Sequence, residues 1–453
     1  MPDPFDLAIR GGLVVHPGGR APLDVYTRGG RIAALAPRGS GEAARRELDA
    51  SGLLVLPGMI DTHVHFMDPG DPDREDFPTG TAAAAIRGVT TIVEHTHSWP
   101  VTTADRLQEK LAHLRGRAHV DFGLAAHVWP DHIPDLPELW SAGITYFKAF
   151  TCETHGVPAI DADRMLALAG VLAEIGAPCL VHCEDDVLTA ADERRLRAAH
   201  RVDGGIVPEW RSRTAELVSV AVTALIARRR QARMIVAHAS SAEVLELVAR
   251  ERAAGAPVVA ESCPQYLYLR EDEVLEHGAL RKFTPPARLR SDDEERRMWQ
   301  AFNDGLIHHI SSDHAPATLE HKRAGDVWDV HFGLPGIDTT FALMLDAALS
   351  GRTSLERVVE AYAAAPARLY GLRGKGRLAV GADADAVLVD PAASWVLSDA
   401  DVVSKAGWSP YTGRRFSGRV VTTVLRGEIA AADGRLAERP PAGRFLTGAG
   451  HPR

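Results

Sequence analysis

The sequence contains little cysteine and no long hydrophobic run. Its 453 residues include 4 cysteines, whose spacing matches no zinc-finger pattern. Cys179 and Cys183 flank an apolar segment, and we interpret them as reduced packing residues of a cytoplasmic protein. No apolar run reaches the length of a membrane span, and the N-terminus lacks the pattern of a secretory signal. We therefore expect a cytoplasmic protein that does not act at a membrane.

An excess of positive charge is also missing. The formal net charge is -9 at pH 7, so no nucleic-acid partner is expected. Hydrophobic residues make up 45% and charged residues 25%, the usual balance of a globular protein with a large core. Histidine is abundant, with 20 residues, and imidazole is the commonest metal ligand and a frequent acid–base group. The composition therefore directs attention to metal and acid–base chemistry.

Short strand patterns separated by glycine-rich turns occur near both ends of the chain. They are Asp6–Arg10, Leu13–His16, Asp24–Thr27, Arg31–Leu35, Ala384–Asp390 and Arg419–Gly427. Because the segment between them has a different pattern, we predict one small β domain built from residues 1–57 and 374–453.

Residues 58–373 alternate between apolar strand patterns and helical patterns. The helix candidates include Asp161–Ile175, Ala215–Arg228, Ala242–Arg252 and Asp292–Asn303. The eight strand candidates are Leu53–His65, Val89–His95, Val120–His127, Ile144–Phe150, Cys179–Glu184, Met234–Ser240, Val258–Tyr266 and His308–His314. Such alternation predicts a parallel sheet, and eight units over roughly 250 residues fit a (β/α)8 barrel, hence the α/β class.

Polar residues follow the ends of several of these strands, where barrel enzymes place their active sites. His63 and His65 are two apart on a strand, so both rings point to one face. Lys148 lies inside an apolar strand, where burial lowers the pKa of its amine. A neutral amine can add carbon dioxide to become a carbamate, an anionic ligand able to bridge two cations. The alternative is a lysine whose head reaches solvent.

Three further candidates are His182, His238 and Asp313, each at a strand end. A single histidine in such a place is more often a core residue than a ligand. The whole set contains four histidines, a lysine and an aspartate, each at or near the end of a barrel strand, which predicts a metal site.

In these motifs the chain resembles the amidohydrolase superfamily, and within it the cyclic amidohydrolases: hydantoinase, dihydropyrimidinase, allantoinase and dihydroorotase. The matching stretches are Pro57–His65, Gly88–Ile92, Phe147–Lys148, Leu180–Glu184, Ala237–Ser240, Glu261–Leu267, Thr284–Arg288 and Ser312–Pro316. The resemblance covers essentially the whole chain. It implies a TIM barrel, the (β/α)8 fold, with a β-sandwich built from both termini.

The resemblance also implies two divalent metal ions, usually zinc. His63, His65 and Asp313 would hold one ion and His182 and His238 the other, while carboxylated Lys148 and a hydroxide bridge them. That hydroxide would attack a ring carbonyl, and Asp313 would act as general base and then as general acid. The implied activity is hydrolysis of a C–N bond in a small cyclic amide, by a dimer or tetramer.

The motifs also bear on the identity of the ring. Dihydroorotases of this family have an arginine where this chain has Met67 and an asparagine where it has His97, so dihydroorotate is disfavoured. Many hydantoinases and dihydropyrimidinases have a tyrosine five residues after the metal lysine, where this chain has Glu153. Allantoinases also lack that tyrosine. We therefore expect a hydantoinase or an allantoinase.

The remaining candidates concern substrate binding. By resemblance, backbone groups near Thr284 and Gly333 hold the imide or ureide edge of the substrate. Histidines at or just after strand ends, together with Glu153, are hypothesised to line the pocket and replace the missing tyrosine; the alternative is a supporting or surface role. These histidines are His95, His97, His127 and His155.

Two rival functions stay open. A mononuclear deaminase of the superfamily would share the His-x-His motif but would not need Lys148. A non-catalytic scaffold related to dihydropyrimidinase would have lost metal ligands, whereas all six are present here.

Overall fold

Six strands form the N-terminal part of the computed structural model, which describes residues 3–452. They are β1 (Leu7–Arg10), β2 (Leu13–His16), β3 (Gly19–Arg28), β4 (Arg31–Pro37), β5 (Glu47–Asp49) and β6 (Leu54–Pro57). Strand β3 is long enough to serve two sheets. Its first half pairs with β2, and its second half pairs with β1 and β4.

The middle of the chain forms the barrel. Its strands are β7 (Met59–Val64), β8 (Val89–Glu94), β9 (Asp121–Leu124), β10 (Ala126–His127), β11 (Phe147–Phe150), β12 (Cys179–His182), β13 (Met234–Val236), β14 (Val258–Ser262) and β15 (Ile307–Ile310). All of their pairings are parallel, in the orders β7-β8-β9 and β10 to β15. Strands β9 and β10 are two halves of one barrel strand, and a bridge between Val64 and His314 closes the ring. The predicted (β/α)8 barrel is confirmed.

The C-terminal part returns to the sandwich. It contributes β16 (Ala386–Val396), β17 (Arg415–Leu425), β18 (Glu428–Ala432) and β19 (Arg435–Leu436). Strand β16 pairs antiparallel with β6, so that Leu54 faces Val389. Alternate apolar residues of both chain ends, such as Ile9, Val55 and Leu388, pack into one core. A β-sandwich built from both termini is therefore confirmed, while its boundaries at residues 57 and 373 stay predictions.

The helices surround the barrel and cover the ends of its strands. They are α1 (Phe77–Ile86), α2 (Ala104–Leu114), α3 (Leu136–Ala142), α4 (Ala162–Ile175), α5 (Asp186–Ala198), α6 (Ile206–Trp210), α7 (Arg213–Arg230), α8 (Ala242–Ala253), α9 (Gln265–Tyr268), α10 (Glu273–His277), α11 (Asp292–Asn303), α12 (Leu319–Arg323), α13 (Thr340–Leu349), α14 (Leu355–Val359) and α15 (Ala365–Tyr370). Short 3-10 turns span Pro130–Asp135, Gly278–Arg281 and Asp399–Asp401, and a π-helical turn spans Glu360–Ala364. Among residues 3–452, none of the helices is long and apolar enough to cross a membrane.

Most predicted barrel strands extend a few residues beyond the observed strands, and two predictions need a larger correction. The predicted strand Leu53–His65 is two strands in different domains, because the chain turns at Pro57-Gly58 from the sandwich into the barrel. Gly58 packs so closely that a Cβ there would lie 2.0 Å from Oγ1 of Thr90. The predicted strand Val258–Tyr266 ends at Ser262, since Pro264, which has no N–H to donate, leads into helix α9.

The last part of the chain packs against the opposite end of the barrel from the candidate site. The backbone N–H of Phe122 donates to the carbonyl of Arg444 at 2.9 Å, and that of Leu446 donates to the carbonyl of Phe122 at 2.7 Å. Phe122 is the second residue of strand β9, which begins at Asp121. These bonds therefore lie near the amino ends of the barrel strands. The C-terminal segment therefore covers the floor of the barrel.

Candidate metal centre

All six predicted ligands line one pocket at the carboxyl ends of the barrel strands. The lining residues are His63, His65, Lys148, Phe150, His155, His182, His238, Thr284, Asp313, Ala315, Phe332 and Gly333. The parallel strands bring these side chains together because their carboxyl ends meet at one rim. The sequence positions of the six ligands span most of the chain, so the convergence depends on the closed barrel.

Three of these side chains surround one point. Oδ1 of Asp313 lies 3.2 Å from Nε2 of His63 and 3.3 Å from Nε2 of His65. Ligands about 2.0–2.2 Å from a tetrahedral ion lie roughly 3.4 Å from one another. The spacing of the three atoms thus fits ligands that share one cation.

Two more imidazoles converge on a second point. Nδ1 of His182 lies 3.0 Å from Nε2 of His238. The other nitrogen of His182 lies 2.7 Å from Oε2 of Glu184. A carboxylate that accepts from one ring nitrogen leaves a lone pair on the other, which is the usual arrangement around a metal-binding histidine. The pair therefore fits a second cation.

Lys148 lies between these groups with its amine unsatisfied. It is 1% exposed, and Nζ has no hydrogen-bond partner among the residues that the structure describes. Burial lowers the pKa of Lys148, against the opposing effect of Glu261 and Asp313. An unpaired buried amine is costly, whereas a carbamate at this place would face the imidazoles. The donor set fits two divalent ions bridged by carboxylated lysine.

Burial favours the neutral form of the four histidines predicted as ligands. Burial is the largest cause that lowers the pKa of His63, His65, His182 and His238. Neutral imidazole has the lone pair that metal binding requires. The electrostatics of the pocket therefore agree with its geometry.

Two buried glutamates orient the histidines, and the sequence had not assigned them this role. Oε1 of Glu261 lies 2.6 Å from Nδ1 of His63. Oε2 of Glu184 also accepts a hydrogen bond of 2.7 Å from Oγ1 of Thr284. Burial alone would raise the pKa of Glu184, but Arg211 and His182 outweigh it and lower that pKa to about 2. Glu184 stands two residues after His182, so its contact with that histidine could have been found from the local sequence. No neighbouring residue in the sequence indicates the contact of Glu261 with His63.

The comparisons with known proteins place the chain in a family. The model of the Amidohydrolase family matches residues 54–430. The chain belongs to this family. It is 38% identical to an allantoinase of Rubrobacter xylanophilus over 449 residues, covering 98% of this chain and 97% of the relative. An allantoinase of Solibacter usitatus is 34% identical over 460 residues, covering 99% and 100%.

A solved structure agrees with the amidohydrolase assignment. The L-hydantoinase (dihydropyrimidinase) from Arthrobacter aurescens matches this amidohydrolase with a TM-score of 0.94 and 30% identity, covering 98% of this chain and 100% of that one. A D-hydantoinase matches with a TM-score of 0.88 and 29% identity, covering 97% and 98%. The similarity therefore includes the barrel and the sandwich together.

The predicted substrate contacts of the amidohydrolase are divided between two places. His155, Thr284 and Gly333 line the pocket. Gly333 has a φ of 117°, and a Cβ there would lie 2.2 Å from the carbonyl oxygen of Ala315. No side chain fits at this part of the wall, and the backbone of Gly333 is presented instead.

The other four candidates lie outside that lining. His97 is half-buried and stacks on His155, with ring centroids 4.3 Å apart. Glu153 is exposed. His95 is buried beside His65 and His127 beside His95, each 1% exposed. A substrate role for these residues stays a prediction.

Proposed function

We propose that this amidohydrolase is a metal-dependent hydrolase that opens the hydantoin ring of allantoin. The enzyme is a hydrolase that acts on cyclic amides. The observation that carries the proposal is the convergence of four neutral imidazoles and Asp313 around the unpartnered amine of Lys148. Such a donor set serves a binuclear centre and has no evident purpose in packing.

Two zinc ions are the proposed cofactor. His63, His65 and Asp313 would hold one ion and His182 and His238 the other, with Lys148 as its carbon dioxide-derived carbamate between them. When bound, the ions would supply an activated water and a Lewis acid for the ring carbonyl. Glu261 and Glu184 fix the ring orientation of His63 and His182 through bonds of 2.6 and 2.7 Å.

Asp313 is the proposed acid–base group. Its side chain is 14% exposed, enough to contact a substrate in the pocket. It takes a proton from the water that attacks the ring carbonyl, and returns it to the ring nitrogen as the C–N bond breaks.

The wall beside Asp313 is proposed to hold the substrate. The N–H of Gly333 already donates to the carbonyl of Lys282 at 3.0 Å, so its own carbonyl is the group left to accept from a ring N–H. The backbone of Thr284 faces the same space, and His155 would donate to a ring carbonyl. An imide edge has both a donor and acceptors, which matches this set.

Allantoin is preferred over other rings for two reasons. The two curated relatives compared above are allantoinases, and Glu153 stands where many hydantoinases have tyrosine. A second candidate is a 5-substituted hydantoin, favoured by the close structural match to an L-hydantoinase. Lys148 argues against a mononuclear deaminase, and the complete ligand set argues against a scaffold. Assembly as a dimer or tetramer and a cytoplasmic location stay predictions.

The test is a panel of rings given to the zinc-loaded enzyme: allantoin, hydantoin, a 5-substituted hydantoin, dihydrouracil and dihydroorotate. We expect the highest kcat/KM for allantoin, and a value lower by about 100-fold or more for Asp313→Asn as the matched control. A higher kcat/KM for the substituted hydantoin would replace allantoin by the second candidate. If the enzyme binds two ions but opens none of the rings in the panel, the proposed opening of these rings is refuted. If it binds no metal, the catalytic proposal is refuted altogether.

A further inference from the structure

A fifth histidine lies against the first metal position. His95 follows strand β8, and its backbone N–H donates to the carbonyl of Val64 at 3.1 Å. This bond places it beside the residue between His63 and His65. The ring centroid of His95 lies 4.5 Å from that of His63 and 4.4 Å from that of His65.

The ring of His95 has no hydrogen-bond partner of its own. It is 1% exposed, and neither ring nitrogen finds a partner within the described part of the chain. The hydroxyl of its neighbour Tyr146 donates to the carbonyl of Thr62 at 2.6 Å and makes no hydrogen bond to His95. Burying a polar group without a partner is unfavourable. The ring nitrogens of His95 are therefore free to bind a metal ion.

The geometry indicates what that partner is. One ring nitrogen each of His63, His65 and His95 lies within 4.8 Å of the others. Rings that only pack have no need to direct nitrogens toward a common point. His127 provides a contrast: both of its ring nitrogens are also unpaired, but it belongs to none of the ligand groups found in residues 3–452.

We propose that His95 is a third imidazole ligand of the ion held by His63, His65 and Asp313. This assignment rests on the proposed metal centre, and it differs from the substrate contact expected from the sequence. His95 is not among the residues that line the pocket. The first position would have three imidazoles and a carboxylate, and the second only two imidazoles besides Lys148.

The unequal donor sets have a consequence for the two ions. Imidazole suits zinc, copper and nickel, whereas carboxylate and carbonyl oxygens suit magnesium and calcium. With His95 as a ligand, the first position is the richer in nitrogen. It should therefore fill before the second when zinc is added in steps, and it should keep its ion longer against a chelator.

The direct test is a crystal structure of the zinc-loaded wild-type enzyme. We expect a ring nitrogen of His95 about 2.0–2.1 Å from one zinc ion. Both nitrogens more than about 3 Å from either ion would overturn the assignment. This measurement does not depend on how well any variant folds.

A titration of variants gives a second, independent test. Zinc affinity is measured for His95→Phe and His95→Gln by competition with a chromophoric chelator, with His127→Phe as the matched buried control. We expect His95→Phe and His95→Gln to lose at least about 10-fold in affinity for one of the two ions, the smallest effect typical of removing even an outer partner of a metal ligand. His127→Phe should lose no more than a few-fold.

The possible outcomes separate this assignment from the proposed function. An equal loss in His127→Phe would mean that the ring packs rather than binds, and the assignment would be wrong. Unchanged zinc affinity in both His95 variants would also overturn it. Coordination of zinc by His95 in an enzyme that opens none of the rings would refute the proposed activity and leave the assignment in place.

Discussion

Oε1 of Glu261 lies 2.6 Å from Nδ1 of His63, and both side chains are at most 1% exposed. The carboxylate accepts a hydrogen bond from Nδ1–H of His63, which leaves the lone pair on Nε2. That nitrogen faces the first metal position, next to Asp313. Burial alone would raise the pKa of Glu261, but His63 and His309 outweigh it and keep that pKa below its usual range. Glu261 is therefore an anion that positions a ligand without touching the substrate.

The variant Glu261→Gln should weaken zinc binding. The amide keeps the size of the side chain but removes the charge that fixes the His63 tautomer, so we expect a loss of about 10–100-fold in zinc affinity. Chelator competition measures the loss, and the exposed Glu246→Gln is the control. Wild-type zinc affinity in Glu261→Gln would contradict the positioning role.

The variant Lys148→Met should lose both the carbamate and the paired ions. Methionine has a similar length but cannot add carbon dioxide. The variant therefore lacks the carbamate anion that would lie between the two cations. We expect activity to fall by about 100-fold or more, together with loss of at least one zinc ion by elemental analysis. In 13C NMR, wild-type enzyme prepared in the presence of 13C-bicarbonate should show a carbamate carbon resonance, and the Lys148→Met variant should lack it. A metal pair that survives the substitution would show that Lys148 is no ligand.

The variant Asp313→Asn should lose turnover more than substrate affinity. A positioned general acid–base group contributes typically 100- to 10,000-fold to rate, and the amide cannot carry the proton from water to nitrogen. We expect kcat to fall within about that range. Zinc content is measured on the same sample, because Asp313 is also a proposed ligand. A kcat close to wild type would exclude the acid–base role.

The variant Lys375→Met should destabilise the whole protein. Nζ of Lys375 lies 2.6 Å from Asp121, 2.7 Å from Asp385 and 3.0 Å from Asp383, with a side chain that is 0% exposed. Removing this cation leaves the buried Asp385 without an ion-pair partner, and breaking a buried ion pair costs about 3–5 kcal/mol. Urea unfolding measures the effect, and the exposed pair of Arg46 with Glu428 supplies the control Arg46→Met, expected to cost less than about 1 kcal/mol.

Acid should destabilise the enzyme partly through His308. Burial is the largest cause that lowers its pKa from 6.5 to about 3, followed by His309. Between these two pH values the unfolded chain binds a proton there and the folded chain does not, so stability falls as the pH falls through this window. The stability of His308→Asn should decline less steeply from pH 6.5 toward 3 in urea unfolding. Parallel curves for the two proteins would contradict this.

The six candidate ligands could be selected from the sequence because each is a local signal. His63 and His65 show their shared face by spacing alone, and Lys148 is conspicuous within an apolar strand. The contact of Glu261 with His63 joins residues far apart in the chain and exists only once the barrel closes. The same is true of His95, whose strand-end position could be predicted but whose approach to His63 could not. The division of Leu53–His65 into two strands, Leu54–Pro57 and Met59–Val64, was missed because both strands are equally apolar.

The pairing of Leu54 with Val389 sets the order in which the molecule can be completed during synthesis. Strand β6 leaves the ribosome before any barrel strand does, and its partner β16 follows only after all of them. A nascent chain stopped within the barrel therefore carries an open sheet edge with nothing to cover it. Translation makes the sandwich the last domain to close, and the finished barrel brings its two halves together.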